Sequence, residues 1–193
     1  MDIYYILAYV TGGLIILIFL LTFVFPRRRL TLILKASGDF VCFLNNLFIY
    51  LATKNPAVIA GIATNLIATV RDILFSFRSK SKVLDNIAWP IAFAATNAAS
   101  LIFTYRSPIS ILPVVGSVIS TLTLFSIDQR ILKTGALIDS IIYSVYYAIL
   151  LKGSDILTIF SLVSTLAGVV SSIVGLIILF VKLKKQKDIN LQQ

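Results

Sequence analysis

The stretch IYYILAYVTGGLIILIFLLTFVF, residues 3–25, carries no charge and is followed at once by Pro26-Arg27-Arg28-Arg29. As a helix it would extend about 34 Å at 1.5 Å per residue. That exceeds the roughly 30 Å hydrocarbon core of a bilayer. A proline and three arginines then stop the run and anchor it at a headgroup surface. The reading is a first transmembrane helix. Met1-Asp2 supplies no basic leader, and no small-residue cleavage site follows the run, so the sequence predicts a retained helix rather than a signal peptide.

Six more apolar runs follow: residues 30–52, 57–77, 87–105, 107–127, 131–151 and 156–181. Lys54-Asn55-Pro56 closes the second, and Arg78, Lys80 and Lys82 follow the third. The second and sixth carry internal charges. Without them the count falls to five.

Composition agrees with a lipid solvent. The 193 residues are 59% hydrophobic and only 13% charged, whereas a soluble domain is about a quarter charged. Mean hydropathy is +0.99. The net charge of +9 reads as membrane anchoring rather than nucleic-acid binding. There is no His, all eight acidic residues are Asp, and the one thiol is Cys42. A Cys/His zinc site and a His-based triad are excluded. An enzyme would have to work with Asp alone, so the sequence predicts a non-enzymatic protein without a metal or cofactor.

Loop charges test the seven spans. Twelve basic residues (Arg27, Arg28, Arg29, Arg78, Lys80, Lys82, Arg130, Lys133, Lys182, Lys184, Lys185 and Lys187) fall on one side, and Lys54, Arg106 and Lys152 on the other. The richer side is predicted cytoplasmic, with the N-terminus outside and the C-terminus inside. All eight tyrosines fall in the outer halves of their predicted helices, where amphipathic rings favour an interface.

Charge inside a span is costly unless paired or wet, so it marks candidate sites. Lys35 and Asp39 are four apart and share one face of the second helix. Arg71, Asp72 and Asp139 lie at neighbouring depths in the third and sixth helices. Together the five suit a gated solute or proton pathway, or else static ion pairs between helices. A direct contact between Asp39 and Arg71 is expected, since their depths differ by only about 6–7 Å. Asn45, Asn46, Asn65, Thr96 and Asn97 form a neutral layer above. Asn65 and Asn97, with Asn45 and Asn46, can bind a polar solute, or they can hydrogen-bond one helix to another. Small residues fix packing: Ser164, Gly168 and Ser172 on the seventh helix, and Ala94, Ala95, Ala98 and Ala99 on a fourth helix expected inside the bundle. Pro113, Gly116 and Gly12 are candidate hinges.

Seven spans divide as three, one, three: repeat one over 3–77, a linker helix over 87–105, repeat two over 107–181, and a tail over 182–193, all in one membrane domain. An odd linker makes the repeats parallel. Gly12-Gly13 and Gly116 hold similar places, as do Arg29 with Asp39 and Arg130 with Asp139, and then Lys54 and Lys152.

Leu112-Pro113-Val114-Val115-Gly116-Ser117-Val118-Ile119-Ser120-Thr121 with Leu124-Phe125, the basic opening from Arg27 to Lys35, and Val70-Arg71 together resemble the YgjV family of bacterial inner-membrane proteins. That family in turn resembles the SWEET sugar and PnuC vitamin transporters, which implies the three-one-three plan. Those transporters often carry a proline in the first helix of each repeat; here Pro113 has only Gly12 and Gly13 opposite it. SWEETs place an Asn in the third helix of both halves; Asn65 fits, but the seventh helix offers only Ser164, Thr165, Ser171 and Ser172. The expectation is an all-α protein of the inner membrane that moves a small polar solute by alternating access. The competing reading is a non-transporting accessory, scaffold or sensor protein.

Overall fold

The computed structural model describes residues 3–25, 27–54, 58–105, 108–151 and 156–190. Among them lie seven α-helices: α1 (Ile3–Thr22), α2 (Arg28–Thr53), α3 (Ile59–Ser76), α4 (Ala88–Thr104), α5 (Ile111–Phe125), α6 (Gln129–Leu150) and α7 (Ile156–Asn190). The segments of α1, α2, α5 (with its preceding 3-10 turn) and α7 are long and apolar enough to cross a membrane, and α4 is a shorter apolar helix. Arg106, Lys152, Asn55 and Pro56, used in the loop reading, lie outside the described residues.

Successive helices run antiparallel and pack in sequence, α1 on α2, α2 on α3, α5 on α6, and α6 on α7. Two further seams close the ring, α1 against α7 and α3 against α5. The helix α4 packs only on α3 and α5 among the substantial contacts. This corrects the expectation of a linker inside the bundle. Of its residues only Pro90 and Asn97 are buried, while Ala95, Ala98 and Ala99 face outward with Ile91, Ile102 and Phe103. Alanine suits a helix contact and an apolar solvent equally well, so its crowding did not decide the matter.

Two other expectations change. The seventh helix does not stop at Val181 but continues through the lysines to Asn190. Lysine is a good helix former, no Gly or Pro intervenes, and cations favour a helix C-terminus. Pro113 does not break its helix. It lies in the first turn of α5, where backbone N–H groups lack intrahelical acceptors in any case. Gly12 and Gly116 likewise sit in uninterrupted helices.

The end that carries Arg27 to Arg29 is tied together most firmly. Phe23, Leu32, Phe75, Leu124, Phe125, Leu132 and Ala136 form one buried apolar cluster, with Trp89 and Phe93 packed against it. The rings of Phe75 and Phe125 meet at 5.2 Å, and those of Phe75 and Phe93 at 5.8 Å, both edge-on. Two cations cap this plug. Arg28, at the start of α2, donates to the carbonyls of Leu124 (2.9 Å), Ser126 (2.9 Å) and Phe75 (3.1 Å). Lys133, near the start of α6, donates to those of Phe23 (2.7 Å), Gly175 (3.1 Å) and Phe25 (3.3 Å). Arg28 satisfies carbonyls at the C-terminal ends of α3 and α5, and Lys133 those just beyond the end of α1, where a positive charge is also favoured, while reaching Gly175 within α7. Lys133 is fully buried, which corrects its assignment to a loop.

Close approach at this cap requires glycine. A Cβ on Gly175 would strike the Phe23 carbonyl and stand 2.9 Å from Lys133 Nζ. Gly175→Ala is therefore expected to destabilise the protein by roughly 1–3 kcal/mol, the usual range for overpacking. Gly13→Ala, with open space at its Cβ, is expected to be neutral or stabilising by up to about 1 kcal/mol from helix propensity. Denaturant titration of the two variants, followed by circular dichroism, checks the contrast; equal stabilities would refute the close packing of α1 on α7.

Candidate functional site: a charged cavity between six helices

A cavity of about 100 Å³ lies along the bundle axis, lined by every helix except α4. From Lys35 to Asn46 its α2 wall rises about 16 Å at the helical repeat. Charge lies toward the Arg27–Arg29 end and neutral polar groups toward the other.

The charged floor is a network of four groups. Lys35 Nζ is 3.0 Å from Asp39 Oδ2, one turn along α2, and 3.5 Å from Asp72 Oδ2 on α3. Arg71 Nε is 2.6 Å from Oδ1 of its neighbour Asp72, and Arg71 Nη2 is 4.0 Å from Asp39 Oδ2. All four are buried. The remaining reach of Arg71 goes to α5, where Nη1 donates to Thr121 Oγ1 at 2.9 Å. Arg71 thus joins α2, α3 and α5, and its strongest partner is Asp72 rather than Asp39. Consecutive helical residues normally diverge; here the long guanidinium side chain folds back to reach the adjacent carboxylate.

Asp139 stands on the α6 wall of the same cavity but outside the paired network. No cation lies within 4.0 Å of it, and its Oδ1 accepts no hydrogen bond among the described residues. Gly116 makes room for it, since a Cβ there would sit 2.9 Å from that oxygen. Tyr143, one turn further along α6, turns its hydroxyl away and donates to the Pro113 carbonyl at 3.1 Å.

The asparagines divide. Asn65 and Asn46 line the cavity, and so does Asn45. The Asn45 amide is committed to α1, donating to the Ala8 carbonyl at 2.6 Å and to Thr11 Oγ1 at 2.9 Å. Asn97 does not line the cavity; it is fully buried on α4, both amide atoms without a hydrogen-bond partner among the described residues. Thr96 is exposed and bonds back to the Ala92 carbonyl. Gly12 lines the cavity where α1 meets Phe160 of α7.

Other lining residues escaped the sequence reading. Cys42 lies on the wall although its flanks are apolar. Ser164 and Gly168, read as packing residues, face the cavity with Ser161 and Thr165. Ser117 and Ser120 on α5, and Ser140, Tyr143 and Tyr147 on α6, complete the polar wall. Their signal was spacing at three or four residues, which places side chains on one helical face. Tyr143 and Tyr147, which the tyrosine pattern places at the membrane interface, line the cavity instead.

The unequal geometry of Arg71 predicts unequal energies. Breaking a buried pair by removing one partner costs about 3–5 kcal/mol. Asp72→Asn is expected to cost that much and Asp39→Asn less. A double-mutant cycle in denaturant should give Arg71–Asp72 the larger coupling. A larger Arg71–Asp39 coupling would contradict the observed distances.

No curated protein and no solved structure matches the chain. Its sequence does match a known family over residues 6–177, a span that takes in all five of these cavity charges. The protein belongs to the Imp-YgjV family of bacterial inner membrane proteins.

Proposed function

We propose that the protein is a transporter of a small polar solute, working by alternating access between two three-helix halves. The observation that carries the reading is the axial cavity itself. It places paired charges, a separate carboxylate and neutral amides between α1–α3 and α5–α7, and leaves α4 out. Intramembrane ionisable groups around a cavity are the usual mark of a solute pathway.

Packing favours two equivalent halves joined by α4. Exchanging α1, α2 and α3 with α5, α6 and α7 maps the α1–α7 seam onto the α5–α3 seam. The two cationic caps obey the same exchange. Arg28 of α2 holds the carbonyls of Leu124 and Ser126 at the end of α5 and of Phe75 in α3. Lys133 of α6 holds Phe23 and Phe25 at the end of α1 and Gly175 in α7. Leu124 and Ser126 each stand 101 residues beyond Phe23 and Phe25. These correspondences support the parallel arrangement of three, one and three helices that a SWEET- and PnuC-like plan would have. In the proposed topology all seven helices span the inner membrane, the capped end is cytoplasmic, and the apolar plug closes it. Movement then requires both caps to release their carbonyls.

A second reading, a non-transporting accessory, scaffold or sensor protein, is favoured by the outward apolar and alanine face of α4, which can receive another membrane helix.

Cys42 distinguishes them, being the sole thiol and on the cavity wall. A membrane-impermeant methanethiosulfonate is expected to modify it in both right-side-out and inside-out vesicles. Modification from one side only, for Cys42 and also for Asn65→Cys in a Cys42→Ser background, would overturn alternating access. The same reagent should reach Ser81→Cys, in that background, only in inside-out vesicles. Labelling in intact cells would reverse the topology.

A further inference from the structure

We infer that the solute is a small organic cation, of ammonium or guanidinium type, held by Asp139 against the ring of Tyr143 on α6. The inference deepens the transport reading and rests on it, since it names what occupies the same cavity.

The argument is one of charge balance. Lys35 and Arg71 are the cations of the cavity wall, and both are taken up by Asp39 and Asp72 at the distances given above. That network is neutral as a unit. Asp139 is the third carboxylate and has no cation within ion-pair distance among the described residues. Lys133 lies on the same helix but six residues away, about 9 Å along the axis. Its ammonium is engaged by three carbonyls, two in the segment after α1 and one in α7. The cavity therefore carries one carboxylate more than its cations balance, and the half-buried Asp139, whose Oδ1 is shut off from water, is the group with which a cationic solute would pair.

The surroundings of Asp139 fit an organic cation rather than a bare metal ion. No group of three or more His, Cys, Asp or Glu suited to a metal occurs among the described residues. Asp139, Tyr143 and Tyr147 follow one another at four-residue steps and share one face of α6. Tyr143 is the ring beside the carboxylate, since a Cβ on Gly116 would stand 2.9 Å from Asp139 Oδ1 and 3.1 Å from the Tyr143 ring, whereas Phe160 lies at the far end of the cavity beside Gly12. A carboxylate beside aromatic faces attracts a cation twice, through its charge and through the ring quadrupoles. Asn46 and Asn65, at the neutral end of the cavity, can meet a polar substituent on the same solute.

Binding can be read without transport, through protection of Cys42 in the purified full-length protein. The reagent is neutral methyl methanethiosulfonate; the probes are guanidinium at non-denaturing concentration and urea, its neutral near-isostere. Guanidinium should slow modification in a saturable way, about tenfold at ten times its dissociation constant, with urea without effect. Asp139→Asn should abolish protection and Asp139→Glu should retain it, each checked for monodispersity and for an unchanged rate without probe. Should Asp139→Asn fail to fold, Gly116→Ala tests the same point, because its methyl displaces the carboxylate and should weaken protection. Equal effects of urea and guanidinium would overturn the inference and indicate a protonated Asp139. Protection that survives Asp139→Asn would also overturn it. Protection with one-sided Cys42 access would leave the cation site and remove transport. Two-sided access without protection would leave transport and remove the cation site.

Discussion

Four charges withdrawn from water hold one another at the centre of this protein, and much of the architecture answers to them. Lys35 and Arg71 each reach two carboxylates, so neither cation depends on one partner. A buried charge left alone costs several kcal/mol, so the four must be assembled together or not at all. This makes the α2–α3 contact a polar junction within an apolar bundle. The Arg71 bond to Thr121 then carries the constraint across to α5. A seam between the two groups of three helices is thereby built on hydrogen bonds whose partners can be exchanged, not on interlocked apolar side chains alone.

Below that network the design is different. The plug around Phe75 and Phe125 is apolar and closely packed, and its two caps spend their cations on backbone carbonyls rather than on carboxylates. Carbonyls at helix ends are weak partners compared with a carboxylate, and a cap on them can be released without stranding a negative charge. Strong pairing at the cavity floor and weaker capping at the plug suit a protein whose end opens while its floor persists. Arg78 adds to the closure on the same side, donating to the Phe125 carbonyl and lying 3.7 Å over that ring.

The helices were legible in the sequence because an apolar run ended by Pro26 and three arginines has few alternatives in water or lipid. Lys35 and Asp39 were legible because a four-residue spacing puts them on one face. Less visible was the part that depends on which way a helix faces. Lys133 has the same place in the charge pattern as a loop lysine, and only the approach of Phe23 and Gly175 makes it a buried cap. The alanines of α4 suit lipid and protein alike. Ser164 and Gly168 fit both a packed seam and a cavity wall, and the neighbours of α7 decide between them. Asn97 is buried away from the cavity, its amide without a partner among the described residues.

In the proposed transport cycle the two halves separate at the capped end. Spin labels at Ser79→Cys, beyond α3, and Ile127→Cys, beyond α5, in a Cys42→Ser background report that separation by double electron–electron resonance. Both positions are exposed and flank the plug from opposite halves. The account predicts two distance populations in lipid, a short one matching the capped state and a longer one that grows when Lys133→Met removes one cap. A single narrow distribution, unchanged by Lys133→Met, would contradict it.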